Sequence, residues 1–156
     1  MLGELTQDEI NEVMANNITG RIGCTDGEKM YIVPVSYAYN DNYVVVHSKE
    51  GLKIDIMRQH PHVCFQVDEI INSANWRSVI VWGDYEEITD PKEKYYAMKY
   101  LVGHLAAHQH VSETAGVQDM HQALANPETP EPVNRPVVYR IRIKERSGRF
   151  EKNWKE

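Results

Sequence analysis

The sequence predicts a mainly β fold, in which about six antiparallel strands form a barrel or a sandwich with helices at its periphery. Two turn signals at hairpin spacing, Asp26-Gly27 and Asn40-Asp41-Asn42, separate apolar runs. The segment 137–144 alternates apolar and polar side chains, as a strand with one buried face does. Strands and helices do not alternate along the chain, which disfavours a parallel sheet built from βαβ units.

Length and composition indicate an ordinary globular protein. The 156 residues are expected to form one domain, 1–156, with a core at about 18–145 and a helix and loop insertion at 106–136. The net charge of -6 argues against nucleic acid as a partner. No apolar run could span a bilayer, and the segment MLGELTQDEI lacks the pattern of a signal peptide. We therefore expect no membrane partner and a cytoplasmic location.

The first elements are a helix and a strand meander. Thr6 and Glu9 form a capping box at the start of a helix expected over 7–16. Three antiparallel strands, joined by the two turns, are expected to follow at 18–25, 29–39 and 43–48. Cys24 and Cys64 both lie in apolar, strand-like contexts, which favours buried thiols over a zinc site or a disulfide.

The middle of the chain adds a short helix and two more strands. The helix is expected over 50–58, opening with Glu50-Gly51-Leu52-Lys53 and ending before Pro61. A strand at 63–67 precedes a polar, loop-like stretch that reaches residue 75. A long strand at 76–88 contains Gly83, which we interpret as a bulge or a bend.

The C-terminal part holds a strong helix signal and the last strand. Asp90, Pro91 and Glu93 provide an acidic cap, a proline at the first helical position and an acid at the third. Beyond this helix, a short helix near 117–125 and an extended Pro-rich linker are expected within the insertion. The last strand begins at about Val137, and the charged tail after Arg149 is expected to fray.

The end of the third strand has the features of an anion site. Ser48 offers a hydroxyl, Lys53 an ammonium group, and the start of the helix at 50–58 offers free backbone N–H groups. Gly51 allows a ligand to approach the backbone closely. A phosphate would fit this pattern, and so would a solvated helix start after an ordinary strand.

Pro34 marks an opening or an edge in the second strand. A proline cannot donate to a strand ladder, so the sheet is interrupted or ends there. An opened sheet would expose backbone groups of Val33, Val35 and Ser36 to a flat ring, whereas a plain edge strand would explain the proline equally well.

Four segments in this order and at this spacing resemble the flavin-binding split barrel related to pyridoxamine 5′-phosphate oxidase. The segments are IVPVSY, VVVHSKEGLK, HVCFQVD and WRSVIVWGDYEEI, and they span about residues 20–88. Within that family, the nitroimidazole-reductase-like branch is the most similar. The C-terminal segment with which the oxidase proper binds its substrate is not recognisable, so we do not expect oxidation of pyridoxamine phosphate.

The resemblance implies a six-stranded antiparallel split barrel that works as a homodimer, with FMN in each cleft between subunits. The cofactor residues that it implies are Val33, Pro34, Val35 and Ser36 along the ring, and His47, Ser48, Leu52 and Lys53 along the ribityl phosphate. It also implies Arg77 and Ser78 from the facing subunit, while Trp82 would cover the cofactor or pack at the interface.

The function implied by the resemblance is electron transfer from NADH or NADPH to a small electron-poor acceptor, of nitroaromatic or quinone type. The flavin performs such chemistry while the protein positions it, so no dedicated catalytic group is required. His47 is the candidate for an acid near the flavin, and a hydrogen-bonded histidine at a strand end is the alternative. A module that binds heme or flavin without turnover remains a second possibility, with His47 or a residue of the group His104, His108 and His110 as heme ligand.

A metal site is not expected. His104 and His108 lie four residues apart on one helix, but no HExxH pattern and no nearby cysteine completes a ligand set.

Overall fold

The computed structural model describes residues 1–108 and 136–153. It contains three helices in these ranges, α1 (Gln7–Asn16), α2 (Leu52–Gln59) and α3 (Pro91–His108). Its seven strands are β1 (Leu2–Glu4), β2 (Thr19–Thr25), β3 (Met30–Asn40), β4 (Tyr43–Ser48), β5 (His62–Asn72), β6 (Asn75–Glu87) and β7 (Val137–Glu151). No helix of the described ranges is long and apolar enough to cross a membrane.

Six of the strands close into an antiparallel barrel. The strand order is β1-β7-β4-β3-β2-β5-β6, and β6 also pairs with β7, which joins the two ends of the sheet. The predicted meander is present as β2, β3 and β4. The predicted six-stranded antiparallel barrel is therefore confirmed, and β1 adds a short seventh strand along β7 that the sequence did not reveal.

Two apolar clusters hold the helices to the barrel. The larger one fills the barrel and includes buried residues of α1 and α2, among them Met14 and Met57. The smaller one lies outside the barrel, where Leu101 and Leu105 of α3 cover Ala38 of β3 and Val138 of β7. The capping box of Thr6 is formed as predicted.

The stretch expected to be a loop before residue 75 is instead the end of a hairpin. Strand β5 runs to Asn72, and β6 begins at Asn75. Polar residues suit this position because they pair across strands: Asp68 contacts Arg21, and Glu69 contacts Arg77. The loop-like prediction was wrong since it judged polarity without these partners.

The C-terminal tail and the start of α2 also differ from expectation. Strand β7 continues past Arg149 to Glu151, with β1 on one side and β6 on the other, so these residues are not frayed. Helix α2 begins at Leu52, and Glu50 lies before it. The β6–β7 register shifts at Gly83, where a bulge or a bend was predicted. Trp82 pairs with Glu145 and Gly83 with Ile143, so the extra residue of this bulge is Lys144 of β7.

The predicted insertion is described only in part. Helix α3 extends to His108, so residues 106–108 belong to it. The helix expected near 117–125 and most of the Pro-rich linker lie outside the described residues, and the expected division into core and insertion stays a prediction.

Candidate functional site

The barrel is split where β3 separates from β4. These strands pair only from Tyr37–Val46 to Asn40–Tyr43. Beyond that point, the rest of β3 pairs with β2 alone, while His47 and Ser48 of β4 pair with β7. A gap therefore opens between the two strands, next to the start of α2.

The backbone of β3 presents polar groups to this gap. The N–H of Tyr37 donates to the carbonyl of Ile18 on the β2 side, at 2.9 Å. Because backbone groups alternate in direction along an antiparallel strand, those of Val33 and Val35 also face β2. The carbonyl of Pro34 and both groups of Ser36 face the gap. Pro34 thus loses no ladder bond, since its nitrogen lies on the side without a partner strand among the described residues.

A cavity of about 410 Å³ occupies the gap. It brings together seven of the ten predicted cofactor residues, namely Pro34, Val35, Ser36, His47, Ser48, Leu52 and Lys53. Val33 instead packs against the apolar core. Arg77 and Ser78 lie on β6, outside the cavity of their own chain.

The N-terminus of α2 faces this cavity without a side-chain cap. Gly51 is the N-cap residue, and no side chain donates to or accepts from the cap position. The first helical hydrogen bond runs from the N–H of Asp55 to the carbonyl of Gly51, at 3.1 Å. The N–H groups of Leu52, Lys53 and Ile54 therefore have no acceptor within the helix. A Cβ at Gly51 would meet nothing within 4 Å, so a ligand can approach the backbone there.

Lys53 supplies a positive charge beside these amides. Its side chain is half-buried and, in the part of the chain that the structure describes, no carboxylate lies within 4 Å of its ammonium group. Ser48 is buried, and its Oγ donates to the carbonyl of Lys49 at 2.9 Å. The Ser48 hydroxyl would therefore have to rotate before it could donate to an anion.

Glu50 brings a negative charge to the edge of the cavity, but Arg58 neutralises it. Nη1 and Nη2 of Arg58 donate to the two carboxylate oxygens of Glu50, at 2.9 and 2.8 Å. Nε of Arg58 donates to Glu87 at 2.7 Å. These bonds, with those to Glu50 contributing most, raise the pKa of Arg58 above its ordinary value.

The two predicted residues of β6 have partners in their own chain. Nε and Nη2 of Arg77 donate to Glu69 at 2.9 and 2.5 Å, and Nη2 also reaches Glu12 of α1 at 3.4 Å. The hydroxyl of Ser78 accepts from Gln66 at 3.1 Å. In one chain, therefore, Arg77 ties α1 to the β5–β6 hairpin.

An apolar groove of about 470 Å³ adjoins the cavity on the outer face of the sheet. Met30, Ile32 and Trp82 line it, with exposed fractions of 83%, 70% and 39%. Gly23 forms its floor, where a Cβ would lie 2.7 Å from the sulfur of Cys64. Tyr31 lines both the groove and the cavity, so the two lie on either side of this residue.

The histidines of α3 are engaged elsewhere. His104 Nε2 lies 3.2 Å from the carbonyl of Asn17, and its ring packs near Tyr37. His108 Nδ1 lies 2.9 Å from the carbonyl of His104. No group of three metal-ligating side chains occurs among the described residues, and His110 lies outside them. Of the heme-ligand candidates in the described ranges, His47 is the one that lines the cavity.

Tyr31, Lys49, Glu50 and Arg58 belong to the site but were not predicted. Tyr31 could have been found from its period-two relation to Val33 and Val35 along β3. Arg58 carries no comparable signal, because its pairing with Glu50 depends on how the chain enters α2.

Comparisons with known proteins agree with this architecture. The sequence model of the family described as pyridoxamine 5′-phosphate oxidase matches residues 6–150. An uncharacterised protein of Rhizobium meliloti (strain 1021) is 36% identical over 84 residues, which cover 54% of this chain and 56% of that protein. The chain thus matches little more than half the length of this curated relative.

Solved structures show the same fold over nearly the whole chain. A FAD-binding protein from Mesorhizobium loti gives a TM-score of 0.73 at 28% identity, covering 97% of this chain and 99% of the other. A candidate 5-nitroimidazole antibiotic resistance protein from Bacteroides thetaiotaomicron gives 0.70 at 18% identity, covering 96% and 87%. A FAD-binding protein from Mycobacterium smegmatis gives 0.60 at 18% identity, covering 97% and 100%.

Proposed function

Because the chain belongs to the pyridoxamine 5′-phosphate oxidase family, we propose that it is an FMN-binding flavoprotein that works as a homodimer. Its proposed activity is transfer of electrons from NADH or NADPH to a small electron-poor acceptor such as a nitroaromatic or a quinone. The flavin would supply the redox chemistry, and the protein would bind it, orient it and exclude water. The similar proteins from Mesorhizobium loti and Mycobacterium smegmatis, both described as FAD-binding, support a flavin as the cofactor.

The observation that carries the proposal is the cavity between β3 and β4, with an uncapped helix N-terminus at one end. The amides of α2 and the ammonium group of Lys53 would hold the phosphate. The carbonyl of Pro34 and the backbone of Ser36 would bind the edge of the flat ring. His47, which also lines the cavity, is the residue from which a proton could reach the cofactor or acceptor.

A second copy of the chain is proposed to complete each site. The exposed apolar groove, which shares Tyr31 with the cavity, is the surface that this copy would cover. In such a dimer, Arg77 and Ser78 of the partner subunit would approach the cofactor. Ser78 lies on the same outer face as Trp82, because both occupy alternate positions of β6.

The absorption spectrum of the purified protein tests this function. Bound flavin should give an absorption band near ~450 nm, and anaerobic titration with NADH or NADPH should bleach it. Candidate acceptors are then tested for their ability to reoxidise the reduced flavin. Protein that stays colourless after reconstitution with FMN, and shows no measurable affinity for it, would rule the proposal out.

Flavin binding without turnover is the alternative function, and the same titration separates the two. If FMN binds but neither nicotinamide bleaches it, the protein is a flavin carrier or sensor. A heme-binding module would show a Soret band that His47→Ala removes, since His47 is the cavity's one histidine among the described residues.

A further inference from the structure

Glu50 contributes a carboxylate to the cavity that we propose to bind a phosphate. It lies in the loop between β4 and α2 and lines the same cavity as Lys53. A free carboxylate in this position would be attracted to the helix N-terminus, where it could accept hydrogen bonds from the uncapped amides. Glu50 would then compete with any phosphate for the same donors.

Arg58 prevents this by holding both oxygens of the Glu50 carboxylate. Arg58 lies in the last turn of α2, and helical side chains tilt toward the N-terminus of their helix, so its guanidinium group reaches back to the Glu50 carboxylate. Two parallel N–H···O bonds fix the orientation of the carboxylate as well as its charge.

Arg58 is itself anchored to the barrel. Its Nε donates to Oε1 of Glu87, and the hydroxyl of Tyr85 donates to the same oxygen at 2.7 Å. The Tyr85 ring packs at 5.0 Å from the ring of buried Tyr139. The guanidinium group is therefore held in place by β6, and its position does not depend on Glu50 alone.

The geometry points to Arg58 as a positioning residue for anion binding, which keeps the carboxylate of Glu50 away from the phosphate site. This inference rests on the proposed function, because it concerns the site assigned to the phosphate of FMN. Its consequence is that loss of Arg58 weakens anion binding through Glu50, although Arg58 does not line the cavity.

Two variants and two ligands test the inference. Arg58→Gln should weaken FMN binding about tenfold at low ionic strength, because the released carboxylate repels or displaces the phosphate. Removing the charge of Glu50 as well, in the double variant E50Q/R58Q, should restore the dissociation constant to within about twofold of wild type. Riboflavin, which has no phosphate, should bind equally to all three proteins.

Arg142→Gln serves as the matched control. Arg142 also contacts a carboxylate, that of Glu86, through Nε and Nη2, but it lies on β7 away from the cavity. Its replacement should leave FMN affinity unchanged. Titrations monitored by flavin fluorescence give the dissociation constants of all four proteins, and urea unfolding of the same proteins shows whether α2 has been lost.

The outcomes separate this inference from the proposed function. If Arg58→Gln binds FMN like wild type, or if E50Q/R58Q binds as weakly as Arg58→Gln, the inference is overturned while flavin binding stands. A weaker riboflavin affinity in Arg58→Gln would also overturn the inference, because it would show that Arg58 acts by maintaining the fold of α2. A wild-type protein that binds neither FMN nor riboflavin would overturn the proposed function and this inference together.

Discussion

Lys53 is the residue whose replacement tests the anion site most directly. Its ammonium group lies beside uncapped amides and has no carboxylate within 4 Å among the described residues, so its charge is available to a ligand. Lys53→Ala should weaken FMN binding by roughly 1.5–3 kcal/mol through loss of a charge-assisted phosphate contact. Isothermal titration calorimetry measures the change.

Lys49→Ala is the control for the loss of one positive charge near the cavity without loss of a direct phosphate contact. Lys49 also lines the cavity, but its side chain is exposed, so solvent and salt screen it and a smaller loss of affinity is expected. Equal dissociation constants for Lys53→Ala and wild type would mean that the phosphate lies elsewhere.

At the residue scale, the sequence predicted the groups that lie next to each other along the chain. His47, Ser48, Leu52 and Lys53 follow from a strand that runs directly into a helix, and the structure brings them into one cavity. Whether they bind a cofactor stays a prediction. Glu50 and Arg58 could not be assigned because their roles depend on a long-range contact with Glu87 of β6.

Gly83 of β6 lies opposite the bulge in β7 and leaves no room for an added methyl group. A Cβ at Gly83 would lie 2.2 Å from the carbonyl oxygen of Arg142, a contact that the backbone of β7 cannot relieve without moving. Gly83→Ala should therefore lower the free energy of unfolding by about 1–3 kcal/mol, the usual cost of overpacking. Urea denaturation followed by circular dichroism provides the measurement.

Gly103→Ala in α3 is the matched control, and it should raise the free energy of unfolding. A Cβ there would meet nothing within 4 Å, and alanine favours a helix over glycine by about 0.5–1 kcal/mol. Gly83→Ala should therefore have a lower free energy of unfolding than wild type, and Gly103→Ala a higher one. A Gly83→Ala protein as stable as wild type would show that the position opposite the bulge tolerates a side chain.

The packing of α3 against the barrel should depend on pH through His104, which contacts the carbonyl of Asn17 just after α1. Burial, followed by the nearby His108, lowers the pKa of His104 below its ordinary value of 6.5, although the hydrogen bond to Asn17 opposes this. The unfolded chain therefore binds the proton more readily, and stability should fall as the pH drops below about 6.5. His104→Gln should reduce this dependence, measured as the urea midpoint between about pH 7.5 and pH 5.5. If the urea midpoint of His104→Gln changes with pH as much as that of wild type, His104 is not the source of the dependence.

At the element scale, local signals were sufficient wherever the chain pairs with its own neighbours in sequence. The cap of α1 and the meander from β2 to β4 were predictable in this way. Gly83 indicated an irregularity in β6, but not that the extra residue would lie on β7. The end of β5 and the strand β1 were not predictable. Their partners are distant along the chain, as with Gly3 beside Phe150, and polar residues look loop-like until those partners are known.

At the scale of the whole molecule, the resemblance of four ordered segments predicted both family and barrel, and both are confirmed. Periodicity alone left a barrel and a sandwich open, because both bury one face of each strand. The pairing of β6 with β7 shows that the strands form a barrel. It is a contact between the two ends of the sheet, which no local pattern encodes.

Association of two chains is the property on which the completed site would depend. Ile32 is 70% exposed and lines the apolar groove, next to Tyr31, which also lines the cavity. A stable interface covers about 800 Å² per partner and excludes unpaired charge from its centre. Ile32→Glu should therefore convert the proposed dimer to monomer in sedimentation equilibrium, and FMN affinity should fall with it. Tyr96→Glu, an equally drastic change at a 66% exposed position of α3, should alter neither property. A wild-type monomer that binds FMN fully, or an Ile32→Glu protein that remains dimeric, would place the interface on another surface or remove the need for one.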